Sequence, residues 1–186
     1  MRQFAIICLV LTYISCSNNL EEVEALIGES NLNREIATDV QILYSDSSYV
    51  KVIIESPRMI RYVGRSENID EFPEGLHVRF LDQNGKEKSW MDANYAIRKE
   101  KDGKIYAEDD VVVYNSRNDK LRTAEIVWDE ANEIIYTERA VKIMQPSRGD
   151  TILGFGLVAN QEFTKFELKR RFSGIKEFEN LAKKLD

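Results

Sequence analysis

The chain has 186 residues, 26 Lys plus Arg, 32 Asp plus Glu and one His, for a net charge of −6. That balance disfavours nucleic acid, whose phosphates call for clustered cations. One histidine and two cysteines, Cys8 and Cys16, give no His/Cys cluster of the kind that holds zinc.

The amino terminus reads "MRQFAIICLVLTYISC", with a single basic residue, Arg2, before an apolar run from Phe4 to Ile14. That run is about the length of a signal-peptide core and too short to cross a bilayer as a helix. Small Ser15 precedes Cys16, as in a lipoprotein signal, where the cysteine is lipidated and becomes the first residue. Tyr13 stands where a Leu is usual, and an ordinary secretory signal is the alternative. The expectation is a signal peptide over residues 1–15 and lipidation at Cys16. Cys8 then leaves with the signal, so the mature chain has neither free thiol nor disulfide, and losing Arg2 moves the net charge to −7. Such a protein reaches a membrane through acyl chains rather than through charge.

Residues 16–39 are mostly polar. Leu20, Val23 and Ile27 recur at helical spacing, with Asn18 or Asn19 available to cap, so the stretch reads as a lipidated tether with one weak helical turn.

From residue 40 the pattern becomes that of strands. "VQILYSDSSYVKVIIESPRMIRYV" reads as a strand, a Ser/Asp turn, a strand, a break at Pro57 and another strand. Leu76, Val78 and Phe80 alternate with His77 and Arg79 and lead to Asn84-Gly85, the strongest hairpin signal in the chain. Further turns fall at Asn118-Asp119 and from Pro146 to Asp150, and "FTKFELKRRF" alternates again. Turn signals every ten residues or so, with no sustained helical period, indicate an all-β sandwich or barrel of about a dozen short strands. Residues 175–186 form a helical tail with Ile175, Phe178, Leu181 and Leu185 on one face.

Within this region the chain repeats itself. "KIYAEDDVVVYN" from Lys104 is answered by "IIYTERAVKIM" from Ile134, and "GLHVRFLDQNGKEKSWMDANYAIRK" fits the same form more loosely. Repeats with a period of about thirty residues stack, each burying its neighbour's apolar face. With a period of two along each strand, one face collects Val52, Ile54, Leu76, Val78, Phe80, Ile105, Val111, Val113, Ile126, Trp128, Ile135, Val141, Ile143, Phe155 and Leu157. This face is either plain core or the lining of a stack that does not quite close and holds something apolar.

The residues give no support for catalysis, a metal or a cofactor. His77 lies on the polar side of its strand. Gly154-Phe155-Gly156 is followed by strand rather than the helix a nucleotide loop requires. Asp109-Asp110 could suggest paired acids, but the second copy has Arg139-Ala140 there, which favours a strand corner.

The ordered set "ILYSDSSYVKVIIESPRM", "DANYAIRKEKDGKIYAEDDVVVYN", "DKLRTAEIVWDEANEIIYTERAVKI" and "ILGFGLVANQEFTKFEL" resembles the LptC family of lipopolysaccharide export. The resemblance covers residues 40–174 and implies an elongated, twisted β-jellyroll of stacked antiparallel strands. Its apolar groove would hold the acyl chains of lipid A, received from an LptBFG-type ABC transporter and passed to an LptA-like protein by β-strand addition. In the family the end of the domain is where that partner docks, which points here to the edge strand carrying Phe166, Glu167, Leu168 and Lys169. Many members are held in the inner membrane by one transmembrane helix. This sequence has none at its amino terminus, and a lipidated Cys16 would replace it on the periplasmic face, although residues 17 and 18 do not settle which membrane receives the anchor. An LptA-like bridge, another periplasmic lipid carrier, or a purely structural β-repeat lipoprotein are the competing readings. A tether argues against the bridge, and bound lipid would argue against the structural protein.

Overall fold

The computed structural model describes residues 34–46, 49–63 and 67–172. The chain divides into two units, Met1–Leu32 and Asn33–Asp186, and the described residues all belong to the second. The expected signal peptide, Cys16, the helical turn near Val23 and the helical tail lie outside the described residues.

Among the described residues eleven strands make up one antiparallel sheet: β1 (Arg34–Asp46), β2 (Tyr49–Val63), β3 (Asn68–Phe72), β4 (Leu76–Leu81), β5 (Glu87–Ala93), β6 (Tyr95–Lys99), β7 (Lys104–Asn115), β8 (Lys120–Asp129), β9 (Ile134–Gln145), β10 (Asp150–Asn160) and β11 (Phe166–Arg171). The turns fall where the sequence places them. Gly85 closes the β4–β5 hairpin by donating to the Asp82 carbonyl, Asn118 turns β7 into β8 with φ 67°, and a 3-10 turn over Pro146–Arg148 joins β9 to β10.

The sheet is bent along one line. Each long strand carries an irregularity there, and the pairing register aligns them. Asp39 (φ 52°) lies opposite Pro57, Gly75 links β3 to β4, Asn94 links β6 to β5, Asp109 and Asp110 (φ 61° and 51°) bulge β7, and Glu138 and Arg139 bulge β9 opposite Gly156 of β10 (φ 66°). Bulges kink strands and increase their twist. The strand segments on the two sides of the line form two layers. Phe80 of one layer meets Trp128 of the other edge to face, with ring centroids 5.4 Å apart. β2 pairs with β4 on one side of the bend and with β3 on the other, while β7 does the same with β5 and β6. β2, β4, β5, β7, β6 and β3 therefore close into a ring. β1 extends the sheet from β2, and β8 to β11 extend it from β7.

Two readings of the sequence change here. The first strand begins at Arg34, not residue 40. Its polar start, Arg34 to Asp39, is held by pairing with β2 rather than by burial. Pro57 does not break the chain into two strands, because β2 runs straight through it. The residue sits at the bend, where no ladder partner demands the N–H that proline lacks.

Gly75 tests the bend. Its φ is 83°, and a Cβ there would lie 2.4 Å from the Ala93 carbonyl oxygen. Gly75→Ala should cost about 2–4 kcal/mol, combining left-handed strain with a backbone collision. Gly85→Ala carries a similar φ of 73° but meets nothing within 4 Å, so it should cost about 1 kcal/mol. Urea unfolding of the two variants measures the difference, and equal costs would mean that Gly75 is not a close-approach point.

Candidate functional site

The inner faces of both layers meet in one continuous apolar cluster. Val52, Ile54, Leu76, Val78, Phe80, Ile105, Val111, Val113, Ile126, Trp128, Ile135, Val141, Ile143 and Leu157 all lie in it and are buried. The two copies of the repeat are superposable in role. Ile105 and Ile135, Val111 and Val141, and Val113 and Ile143 occupy matching inward positions on β7 and β9, whereas Val112 is half-buried and Lys142 exposed on the other face.

Phe155 is placed differently. It pairs with Ala140 and is half-buried outside the cluster, while Ile152 faces inward opposite Ile143. Where Glu138 and Arg139 of β9 lie opposite the single residue Gly156 (φ 66°), the alternation of β10 is reversed, so Phe155 and Leu157 fall on opposite faces despite being two apart. Straight period-two counting could not see this; Gly-Phe-Gly within a strand was the available signal. The same counting passed over Phe72, Met91 and Leu121, which are fully buried in the cluster.

Away from the bend the two layers end in a mouth. Tyr44, Val52 and Trp128 form its apolar wall, and Lys51, Glu130, Glu133 and Gln161 its polar rim, around an open cleft of about 540 Å³. The Tyr44 ring packs edge to face on Trp128 at 5.8 Å and lies under the Arg98 guanidinium at 5.3 Å. Burial pushes the Tyr44 phenol up to about 12, and its hydroxyl has no hydrogen-bond partner among the described residues. Burial likewise raises the Glu130 carboxyl above the usual range, against the opposing charge of Arg98. Lys51 Nζ reaches across the mouth to Glu133 Oε1 at 2.7 Å.

Beside the mouth, Asp70 on β3 is 2% exposed. It accepts from Arg61 on β2 through both carboxylate oxygens, at 2.7 and 3.1 Å, and from Arg98 on β6 at 3.3 Å. Arg98 shares a cross-strand pair with inward Ile105, so this charged triad belongs to the inner face. Sequence alternation missed it because Asp70 is itself polar, so its inward position gives no apolar signal, and the adjacent Ile69 points the count to the other face.

The sole histidine lies on the outer face of β4, where His77 Nδ1 approaches Asp92 Oδ1 of β5 at 2.5 Å. This hydrogen bond raises its pKa, as expected for a cross-strand ion pair. Asp109 and Asp110 form the corner of β7.

β11 pairs only with β10 and is the last strand of the sheet in that direction among the described residues, as β1 is in the other. Phe166 and Leu168 lean against the apolar cluster, while Glu167 and Lys169 are exposed, with Lys169 paired to Glu138.

A bent antiparallel sheet wrapped around one apolar lining, with a mouth and two free edges among its described residues, defines a β-jellyroll-type protein. The chain belongs to the LptC family: residues 5–177 match the family described as "Lipopolysaccharide-assembly, LptC-related". A comparison with curated proteins found no match. The family gives the chain a role in lipopolysaccharide transport alongside other Lpt proteins; it is a transport component rather than an enzyme family, associated with the periplasm and inner membrane. Among the described residues no helix is long and apolar enough to cross a membrane.

Removing the centre of the charged triad leaves two guanidinium groups facing each other on an inner surface. Asp70→Ala should therefore destabilise the fold by about 2–4 kcal/mol, below the full value for a deeply buried pair because Arg61 is partly exposed. Replacing Arg61 with Met in the same chain should recover part of the loss. Chemical denaturation of the single and double variants decides this, and an Asp70→Ala protein as stable as the parent would contradict the triad's role.

Proposed function

We propose that this protein carries the acyl chains of lipopolysaccharide on the inner face of its jellyroll, between an LptBFG-type ABC transporter and an LptA-like partner. The observation that carries the reading is the continuity of the apolar cluster across both layers and both repeat copies, ending in an open mouth. Such a surface needs no catalytic group. Each buried methylene contributes about 0.8 kcal/mol, so a lipid with several chains binds by area alone. The inner face is filled by its own side chains, so loading parts the layers at the mouth, where Tyr44, Trp128 and the Lys51–Glu133 pair meet across the gap.

The partner edge is β11, by addition of a strand along its free side at Phe166, Glu167, Leu168 and Lys169. Exposed Lys165, Lys169, Arg170 and Arg171 limit indiscriminate pairing there. Cys16, lipidated after removal of residues 1–15, holds the protein at the periplasmic face of the inner membrane, with residues 17 onward as the tether to β1. The domain proper then runs from Arg34 to about residue 174, followed by the tail 175–186.

A photo-crosslinking residue at Val113 or Ile143 should capture lipopolysaccharide while the transporter hydrolyses ATP, whereas one at Val112 or Lys142, on the outer face, should capture much less. Proline at Glu167 or Lys169 removes a backbone donor, so it should weaken capture of the LptA-like partner more than alanine does while leaving the Val113 crosslink intact. Equal labelling of both faces would refute the lining, and undiminished docking by folded proline variants would move the partner to another edge.

A further inference from the structure

The loop between β10 and β11, residues 161–165, reaches over the end of the mouth to the opposite layer. It starts and ends in the layer that holds Trp128, yet two of its anchors lie on the opposite layer. Ser89 Oγ of β5 donates to the Gln161 carbonyl at 2.7 Å, and Asn115 Nδ2 at the end of β7 donates to the Phe163 carbonyl at 2.7 Å. The Gln161 side chain accepts from Trp128 Nε1 at 3.3 Å, and its N–H donates to the Glu133 carbonyl. Between these anchors Phe163 is driven into the apolar cluster and is 1% exposed. Its backbone holds a φ of 47°, set by the turn in which the Phe163 N–H donates to the Asn160 carbonyl at 2.8 Å.

We infer that Phe163 is a displaceable plug, the group that occupies the end of the lining when no acyl chain does. The inference rests on the lipid-carrier reading. Two features single Phe163 out from the rest of the cluster. The other large buried side chains sit on strands paired on both sides, whereas Phe163 sits on a loop. The loop is attached across the mouth by a few polar contacts rather than by a ladder. An acyl chain that takes Phe163's place restores the same apolar contacts.

The plug is also joined to the docking edge. The Phe163 ring stacks on Phe166, the first residue of β11, with centroids 5.7 Å apart and planes 24° apart. Displacing Phe163 disturbs the start of the strand to which a partner would add. Lipid occupancy and partner docking are then thermodynamically linked, each altering the affinity of the other by the same factor.

The test uses cis-parinaric acid, a fatty acid whose fluorescence rises on burial, titrated into the purified full chain. Phe163→Ala removes the plug, and Ser89→Ala loosens its attachment without altering an apolar side chain. Both variants should bind the probe about tenfold tighter than the parent or better. Saturating probe should speed amide exchange in residues 161–168 of the parent. If Phe163→Ala does not fold, Ser89→Ala decides alone. Binding by the parent with unchanged affinity in the folded variants and unchanged exchange in the loop would overturn the plug and leave the carrier reading standing. Absence of probe binding by parent and variants alike would overturn both.

Discussion

The bend that crosses every long strand at one level is the constraint on which the rest of the molecule depends. An antiparallel sheet of this many strands would otherwise present one broad apolar face to water. The aligned irregularities at Asp39 and Pro57, Gly75, Asn94, Asp109-Asp110 and Gly156 turn that face in on itself. Long strands β2 and β7 pass through the bend and change partners there, which closes the ring of six. The same bend sets where the lining ends, because the strand ends farthest from it form the mouth.

Energetically the interior is divided. Between the bend and the mouth it is aliphatic, with Ile54, Val78, Val113 and Ile143 excluded from solvent, and the hydroxyl side chains of Ser56, Thr123 and Thr137 are buried at the bend itself. Toward the mouth it takes on tyrosine, tryptophan and paired charge, as Tyr44, Trp128, Arg98 and Asp70 gather there. An apolar interior resists opening in proportion to its buried area, whereas cross-layer contacts that include ion pairs and a ring whose hydroxyl is unpartnered among the described residues give up less when they separate. The mouth is therefore where the two layers part at least cost. In the proposed role that is the side on which acyl chains are admitted, and among the described residues Phe163 is the one large cluster side chain there that no strand ladder holds.

Much of this was legible from the sequence, and the limits have physical causes. Strand alternation located the inward face of β2, β4, β7, β8 and β9, since a strand half-buried on one side writes its environment at every second residue. The repeat from Lys104 and Ile134 became two bent strands on either side of β8, with equivalent residues at equivalent depth. Where alternation failed, something other than burial governed the residue. β1 begins in polar sequence because its pairing with β2 is made by the backbone. Phe155 points away because a bulge costs one residue of register. Pro57 lies inside a strand because its missing donor is not called for at the bend. Asp70 and Phe163 depend on contacts between segments distant in sequence, with Arg98 for the one and Ser89 and Asn115 for the other, and no local pattern encodes these.

Native mass spectrometry of the full chain, purified gently from the cells that make it, tests the central claim most directly. The account predicts a population heavier than the protein by the mass of a lipid A-bearing molecule, released on collisional activation as an intact lipid and diminished when Val113 and Ile143 are both replaced by Asp in a chain that still folds. A protein that carries no lipid under conditions that preserve lipid on a known carrier would contradict it, and the apolar cluster would then be core and nothing more.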